Sequence, residues 1–224
     1  MNNGPVVFLA LFVAMAGSWL AFVMGPELQI GATRPTTSIV AGMTDEIYPN
    51  AKPGAARQGA EVYRANGCVA CHTQQVQPAA LGPDINRGWG VRRSTAYDYL
   101  FESPLQLGTQ RIGPDLANAG RRMDANSILV RLYEPRAITP RSIMPPYPYL
   151  FENHKITGIP SPDALQLPAG FTPPTGCEII PLPEARALAA YVTSLHQDGY
   201  LYEAPPPVEK TNGPPPTAKI SPAK

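Results

Sequence analysis

Three residues of the segment Cys68-Val69-Ala70-Cys71-His72 could act together chemically, because two thiols lie three positions apart and an imidazole follows directly. The two thiols can add to the vinyl groups of a haem, and the adjacent histidine can then reach the iron from one face. The spacing therefore predicts a covalently attached haem c, with His72 as the proximal iron ligand.

Zinc binding and thiol redox chemistry also use pairs of cysteines with this spacing. A zinc site would need two further ligands, and the remaining candidates are scattered along the chain: Cys177, His154 and His196. A thioredoxin-like site would need a βαβ context, which the sequence does not show. Because the chain has three cysteines, a disulfide scaffold is excluded, and we interpret Cys177 as a structural or incidental thiol.

The second axial ligand decides what such an iron can do. An open position can bind oxygen or peroxide, whereas a His/Met pair makes an electron carrier. Met144 lies in the segment Ser142-Ile143-Met144-Pro145-Pro146-Tyr147-Pro148, whose prolines restrict the backbone before any ligand binds. Filling of the core is the usual alternative role for a methionine. The segment favours Met144 as the distal ligand, and no catalytic residue is assigned.

Other haem contacts are predicted near Gly-Pro-Asp, which occurs at 82–84 and 113–115. A proximal histidine needs its second ring nitrogen fixed, often by a backbone carbonyl. The second copy, followed by Leu116, resembles the Gly-Pro-x-Leu segment of class I cytochromes c, so Pro114 is the candidate. The first copy is interpreted as a turn. Haem propionates need basic or hydrogen-bond-donating partners. Arg111 is the first candidate, followed by Trp89, Arg92 and Tyr147. For each arginine, the alternative is a solvated charge on the surface.

Residues 5–24 contain no charged side chain. Twenty residues at about 1.5 Å each match the roughly 30 Å hydrocarbon core of a bilayer. A cleaved signal peptide is the alternative, but the segment lacks a basic start and an Ala-x-Ala site. Because haem c is attached outside the cytoplasm, we expect a single-pass helix in the bacterial inner membrane, with the haem domain on the periplasmic side.

Composition divides the chain into a transmembrane anchor, an extended linker, a monohaem domain and a proline-rich tail, which cover residues 1–25, 26–53, 54–202 and 203–224. Proline accounts for 28 of the 224 residues, against an average of about 5%. The tail has few large apolar residues and is expected to be disordered or polyproline-like. The net charge of +1 gives no indication of a nucleic-acid surface.

Three helices are predicted in the monohaem domain, at about 54–66, 124–133 and 183–196. Asp124 is placed as the N-cap of the second helix, and Pro183 as the first residue of the third. Strand signals are nearly absent. The predicted fold class is all-α, with a single N-terminal transmembrane helix and proline-rich extensions.

Four segments between Cys68 and Leu150 carry a family resemblance, namely CVACHTQQVQP, GWGVRRS, ESPLQLGTQRIGPDL and EPRAITPRSIMPPYPYL. Together with the anchor and the closing helix PEARALAAYVTSL, they resemble the monohaem subunit (subunit II) of cbb3-type cytochrome c oxidases. The expected crossing of the first and last helices, with Gly59 at the contact, resembles class I cytochromes c. The resemblance implies a class I cytochrome c domain.

The resemblance also implies haem binding through Cys68, Cys71, His72 and Met144. It implies an N-terminal helix held against the catalytic haem–copper subunit, which contains low-spin haem b, high-spin haem b and copper. Such a subunit relays electrons from a soluble cytochrome c or another cytochrome c subunit towards low-spin haem b. The chain differs from the family at Gln77, where a basic residue is usual, and at 79–87.

Two other functions remain open from the sequence. One is a membrane-tethered cytochrome c carrier, or the haem subunit of a nitric oxide reductase, a quinol-oxidising complex or a dehydrogenase. The other is a haem sensor or peroxidase with a labile sixth position, which Met144 disfavours.

Overall fold

The computed structural model describes residues 3–38 and 46–206. In these residues the α-helices are α1 (Gly4–Trp19), α2 (Gly54–Ala65), α3 (Ala125–Tyr133) and α4 (Pro183–Thr193). The strands form two antiparallel pairs, β1 (Thr36–Ser38) with β2 (Glu46–Tyr48), and β3 (Phe151–Lys155) with β4 (Cys177–Pro181). Residues 39–45 of the predicted linker and 207–224 of the predicted tail lie outside the described residues.

Helix α1 continues beyond Trp19 through wider π-helical turns at Leu20–Met24 and Glu27–Gly31. The resulting helix, Gly4–Gly31, has 28 residues and a mean hydropathy of 2.4, and its most apolar stretch makes no burying contact within the chain. Its length and composition are sufficient to cross a bilayer. The sequence predicts an extended linker from residue 26, whereas the helix passes Pro26, because wider turns accommodate a residue without an N–H donor.

The three helices predicted in the globular part are confirmed as α2, α3 and α4, with small differences at their ends. Asp124 is the N-cap of α3, where its carboxylate accepts a hydrogen bond of 2.7 Å from the Ser127 N–H. This bond lowers the pKa of Asp124. Pro183 is the first residue of α4. Local capping chemistry therefore places these helix starts.

Helices α2 and α4 cross at Gly59. A Cβ atom on Gly59 would lie 1.9 Å from the Ala187 carbonyl oxygen and 2.7 Å from the Tyr191 Cβ. Beside this contact the buried rings of Tyr63 and Tyr191 pack edge to face, with centroids 5.4 Å apart. The glycine therefore allows the two helix backbones to approach closely, and the end of α2 is fixed against α4.

The prediction of a purely all-α fold is wrong, because β3 and β4 form an antiparallel ladder in register from Phe151↔Pro181 to Lys155↔Cys177. Phe151 and Ile179 are buried, and the Phe151 ring packs edge to face on Tyr133 of α3 at 5.2 Å. The ladder thus covers one side of the helical core. The two strands are separated by residues 156–176, a connection far longer than the short turns that mark a hairpin in a sequence.

A buried ion pair between Arg92 and Asp98 joins the two ends of the globular part. Arg92 Nη2 lies 2.6 Å from Asp98 Oδ1, and the side chains are 1% and 0% exposed. The Tyr48 hydroxyl, at the end of β2, donates to the same carboxylate. Arg92 Nε donates to the Gly199 carbonyl at 2.6 Å. Arg92 is therefore neither a solvated surface charge nor free to bind another carboxylate.

Candidate haem site

The cysteine motif follows α2 directly. Gly67, with a φ of 66°, ends the helix in the left-handed conformation, which glycine adopts without strain. Cys68–Ala70 then forms one tight turn, and the N–H groups of Cys71 and His72 both donate to the Cys68 carbonyl, at 3.1 and 3.0 Å. The two half-buried thiols are not joined in a disulfide. Burial, and to a smaller extent the neighbouring Cys71, raises the pKa of Cys68 to about 11.

The imidazole of His72 is held from one side by the backbone at residues 113 and 114. His72 Nδ1 lies 2.8 Å from the Pro114 carbonyl oxygen. Because a carbonyl only accepts hydrogen bonds, Nδ1 carries the proton and the Nε2 lone pair is available to a metal. A Cβ on Gly113 would lie 2.3 Å from His72 Cε1, so this glycine provides the space for the ring. Burial lowers the pKa of His72, which favours the neutral imidazole.

Asp115 holds the segment at 113–117 against the segment at 71–75. Its side chain is fully buried and accepts hydrogen bonds from Thr73 Oγ1 at 2.6 Å and from the Gln75 N–H at 2.8 Å. Backbone bonds between the two segments add to these contacts. The Pro114 carbonyl therefore belongs to a segment that several hydrogen bonds hold beside His72.

Arg111 binds a carboxylate of the protein. Its Nη1 donates to both carboxylate oxygens of Asp84, at 2.6 and 2.7 Å, and its Nη2 donates to the Gln75 carbonyl at 2.5 Å. Its guanidinium also lies 5.8 Å from the ring centroid of Trp89 and 3.8 Å from the Asp115 carboxylate. The carboxylates of both Gly-Pro-Asp copies therefore converge on Arg111, including the copy that was interpreted from the sequence as a simple turn.

Met144 lies in the loop between α3 and β3, where it is half-buried and packs against the core. The backbone of this loop is fixed to α3 by a hydrogen bond of 2.8 Å from the Tyr147 N–H to the Leu132 carbonyl. The Tyr149 hydroxyl donates to the Asn66 side chain at the end of α2. The proline-rich loop is thus held beside the start of the cysteine motif.

Tyr147 lies in the same loop and, like Cys68, packs against the buried core. Its pKa is raised to about 12, mainly by burial and additionally by Cys68, Tyr149 and Cys71. The structure therefore brings together the helix end with the two cysteines, the wall that holds His72, and the loop with Met144.

Sequence reasoning missed the part played by Asp84 and Asp115. The repeated Gly-Pro-Asp was the available signal, but nothing local indicates that both carboxylates are buried against one arginine.

The residues present fit a haem. The imidazole of His72 is neutral and oriented, a half-buried thioether lies in a rigid loop, and two thiols lie next to the imidazole with the spacing that vinyl addition requires. Gly113 leaves room for the imidazole where a Cβ would collide with it. In the part of the chain that the structure describes, no three His, Cys, Asp or Glu side chains form a group that could hold a bare metal ion.

A family model for the mono-haem subunit of cytochrome c oxidase (FixO) matches residues 10–162, a range that contains the cysteine motif and Met144. A comparison with curated proteins finds no significant match. The matched range covers well over half of the chain, so the resemblance found in the sequence is confirmed. The chain belongs to the family of mono-haem cytochrome c oxidase subunits, whose members carry one haem.

Proposed function

We propose that this chain is the electron-relay subunit of a cbb3-type haem–copper oxygen reductase. In this proposal Cys68 and Cys71 attach one haem c covalently, and His72 and Met144 bind its iron. The family match carries the assignment to an oxidase. The hydrogen bond between His72 Nδ1 and the Pro114 carbonyl supports the proposed iron ligation, because it leaves Nε2 as a ligand in a fixed orientation.

The haem supplies a one-electron ferric/ferrous couple when it is bound. The protein residues orient and tune that couple. Pro114 holds the proton of His72 on Nδ1, and Asp115 keeps the Pro114 segment in place. A thioether ligand from Met144 favours a raised reduction potential, and its rigid loop limits reorganisation when the electron arrives and leaves.

Tyr147 and Trp89 are proposed as further haem contacts, since Tyr147 packs against the same core as Cys68 and Trp89 packs on Arg111. The guanidinium of Arg111 already binds the carboxylate of Asp84. We therefore propose that Arg111 contributes by shaping the wall beside Trp89.

The apolar helix Gly4–Gly31 is proposed as a single-pass anchor in the bacterial inner membrane, with the haem domain at 54–202 on the periplasmic side. Its partners would be the catalytic haem–copper subunit and a cytochrome c donor, either soluble or another subunit. The family finding favours an oxidase over a nitric oxide reductase, a quinol-oxidising complex or a dehydrogenase.

Purification of the full chain in a mild detergent tests this assignment. We expect a large subunit with two b haems and copper to co-purify, and reduced haem c to transfer electrons to the low-spin haem b within the complex. Isolation of the chain as a lone haem protein would instead support a tethered carrier. A peroxide-reactive, five-coordinate haem would support the sensor or peroxidase alternative.

A further inference from the structure

Two arginines, Arg122 and Arg131, donate only to uncharged oxygens in the described residues: Arg122 to the backbone carbonyls of Asp115 and Asn118, and Arg131 to the Thr139 hydroxyl. Arg122 is partly buried, and its pKa is lowered mainly by burial, with Arg131 as a further cause and Asp115 opposing. Neither guanidinium comes within 4.0 Å of a carboxylate oxygen in the described residues. Arg131 Nε is buried without a hydrogen-bond partner. A buried N–H donor without an acceptor is costly, so the arrangement favours an additional acceptor such as an anion.

The two arginines are attached to opposite walls of the haem site. Arg122 Nη2 donates to the carbonyl of Asp115. Asp115 directly follows Pro114, whose carbonyl binds His72. Arg131 Nη1 donates to Thr139 Oγ1 at 3.3 Å, and Thr139 begins the loop that leads to Met144. An anion bound by both guanidinium groups would therefore lie between the proximal wall and the distal wall.

The two arginines that the sequence predicts as propionate partners are already neutralised by carboxylates of the protein. Arg111 binds Asp84, and Arg92 binds Asp98, and both carboxylates are fully buried. A further carboxylate at either arginine would have to displace one of these aspartates. Arg122 and Arg131 face no such competition among the residues that the structure describes, where only backbone carbonyls and one hydroxyl accept their hydrogen bonds.

We propose that Arg122 and Arg131 bind the haem propionates. The planar guanidinium fork matches a carboxylate, and a carboxylate placed between two arginines relieves their mutual repulsion. The inference rests on the proposed haem at Cys68, Cys71 and His72. The chemistry required is a carboxylate held next to the haem, which either the propionates or an acidic side chain of a neighbouring subunit could supply.

The test compares Arg122→Gln and Arg131→Gln with the corresponding lysine variants, in the full chain purified with its haem. Haem staining and the thioether-to-iron absorption band should persist in all four variants. The midpoint potential should fall in both glutamine variants, because loss of a nearby positive charge stabilises ferric iron. The expected change is about tenfold in the one-electron equilibrium constant, or roughly 59 mV. The lysine variants should retain most of the wild-type potential.

Arg186→Gln is the matched control, since Arg186 is an exposed residue of α4 that pairs with Asp163 in the connection between β3 and β4. Its potential should not change. An unchanged potential in both Arg122→Gln and Arg131→Gln would overturn the proposal. A potential shift that appears only in the assembled oxidase would also overturn it, because the two arginines would then bind a carboxylate of a partner subunit. If the glutamine variants do not accumulate, Arg122→Lys and Arg131→Lys provide the test. A lowered potential in these two variants, at the stability of the Arg186→Gln control, would also contradict the proposal, because the positive charge is retained. Loss of haem staining from the unmodified chain would refute the proposed function instead.

Discussion

Gly113 and Pro114 position the imidazole of His72. Gly113 leaves space for the ring because it has no side chain, and the Pro114 carbonyl accepts the hydrogen bond from Nδ1. The carbonyl determines the tautomer, and the glycine determines how closely the backbone approaches the ring. At the scale of single residues, the site therefore depends as much on these backbone groups as on the residues proposed to bind iron.

Gly113→Ala should displace either the His72 ring or the wall that holds it, because the new Cβ would lie 2.3 Å from Cε1. We expect a loss of about 1–3 kcal/mol in the free energy of unfolding, together with weakened low-spin absorption. Chemical denaturation and optical spectra measure the two effects. Ile112→Ala, at an exposed neighbouring side chain, is the control. A stable variant with a wild-type spectrum would show that the ring has room for a methyl group.

Cys68→Ala should strongly reduce haem staining on a denaturing gel, because one of the two proposed thioether bonds is lost. Cys177→Ala should stain normally, since Cys177 lies on β4, opposite Lys155. Equal staining of the two variants would refute covalent attachment through Cys68.

Met144→Ala should abolish the thioether-to-iron absorption band and lower the reduction potential, because a methionine ligand raises it. Met123→Ala is the matched control, since Met123 is also half-buried against the core. A wild-type spectrum for Met144→Ala, or loss of the band in Met123→Ala, would assign the distal ligand differently.

At the scale of elements, the contact between α2 and α4 positions the motif, since Cys68 follows α2 after a single turn. Gly59→Ala would place a Cβ 1.9 Å from the Ala187 carbonyl oxygen, and a backbone atom cannot move away cheaply. We expect this variant to lose about 1–3 kcal/mol of stability, measured by thermal or chemical unfolding. Gly54→Ala, at the start of the same helix with nothing within 4 Å of the added Cβ, should change stability far less. Similar stability losses in Gly59→Ala and Gly54→Ala would mean that α2 and α4 can move apart at their crossing without cost.

At the scale of the whole molecule, the Arg92–Asp98 ion pair fastens the segment before the haem domain to the segment after α4. Tyr48 on β2 and Gly199 both bind this pair. Strand β2 is thereby attached to the globular part through Tyr48.

Arg92→Ala should destabilise the full chain by about 3–5 kcal/mol, because Asp98 would remain buried without its cation. Arg186→Ala breaks an exposed pair with Asp163 and should cost about 1 kcal/mol or less. Chemical denaturation compares the two, and limited proteolysis between 46 and 53 reports whether the segment detaches. Equal stability of the two variants would show that the buried pair does not hold the ends together.

The sequence by itself determined the family and the main helices of the globular part. Short-range patterns carried this information: Cys-x-x-Cys-His, the Asp124 cap and Pro183 at the start of α4 each act within a few residues. The tertiary structure alone decided which arginine faces which acid. Arg111 and Arg92 pair with Asp84 and Asp98 because a fully buried carboxylate without a cation is costly, and the fold brings these distant residues together.

Contacts between distant segments also explain the error in fold class. Strands β3 and β4 are five residues each and lie on either side of residues 156–176. Neither is strongly patterned alone, and they become a ladder only because Phe151 and Ile179 are buried against α3 and α4. Local spacing thus determined what chemistry the chain can carry. Burial between distant segments decided which backbone groups and charges surround that chemistry.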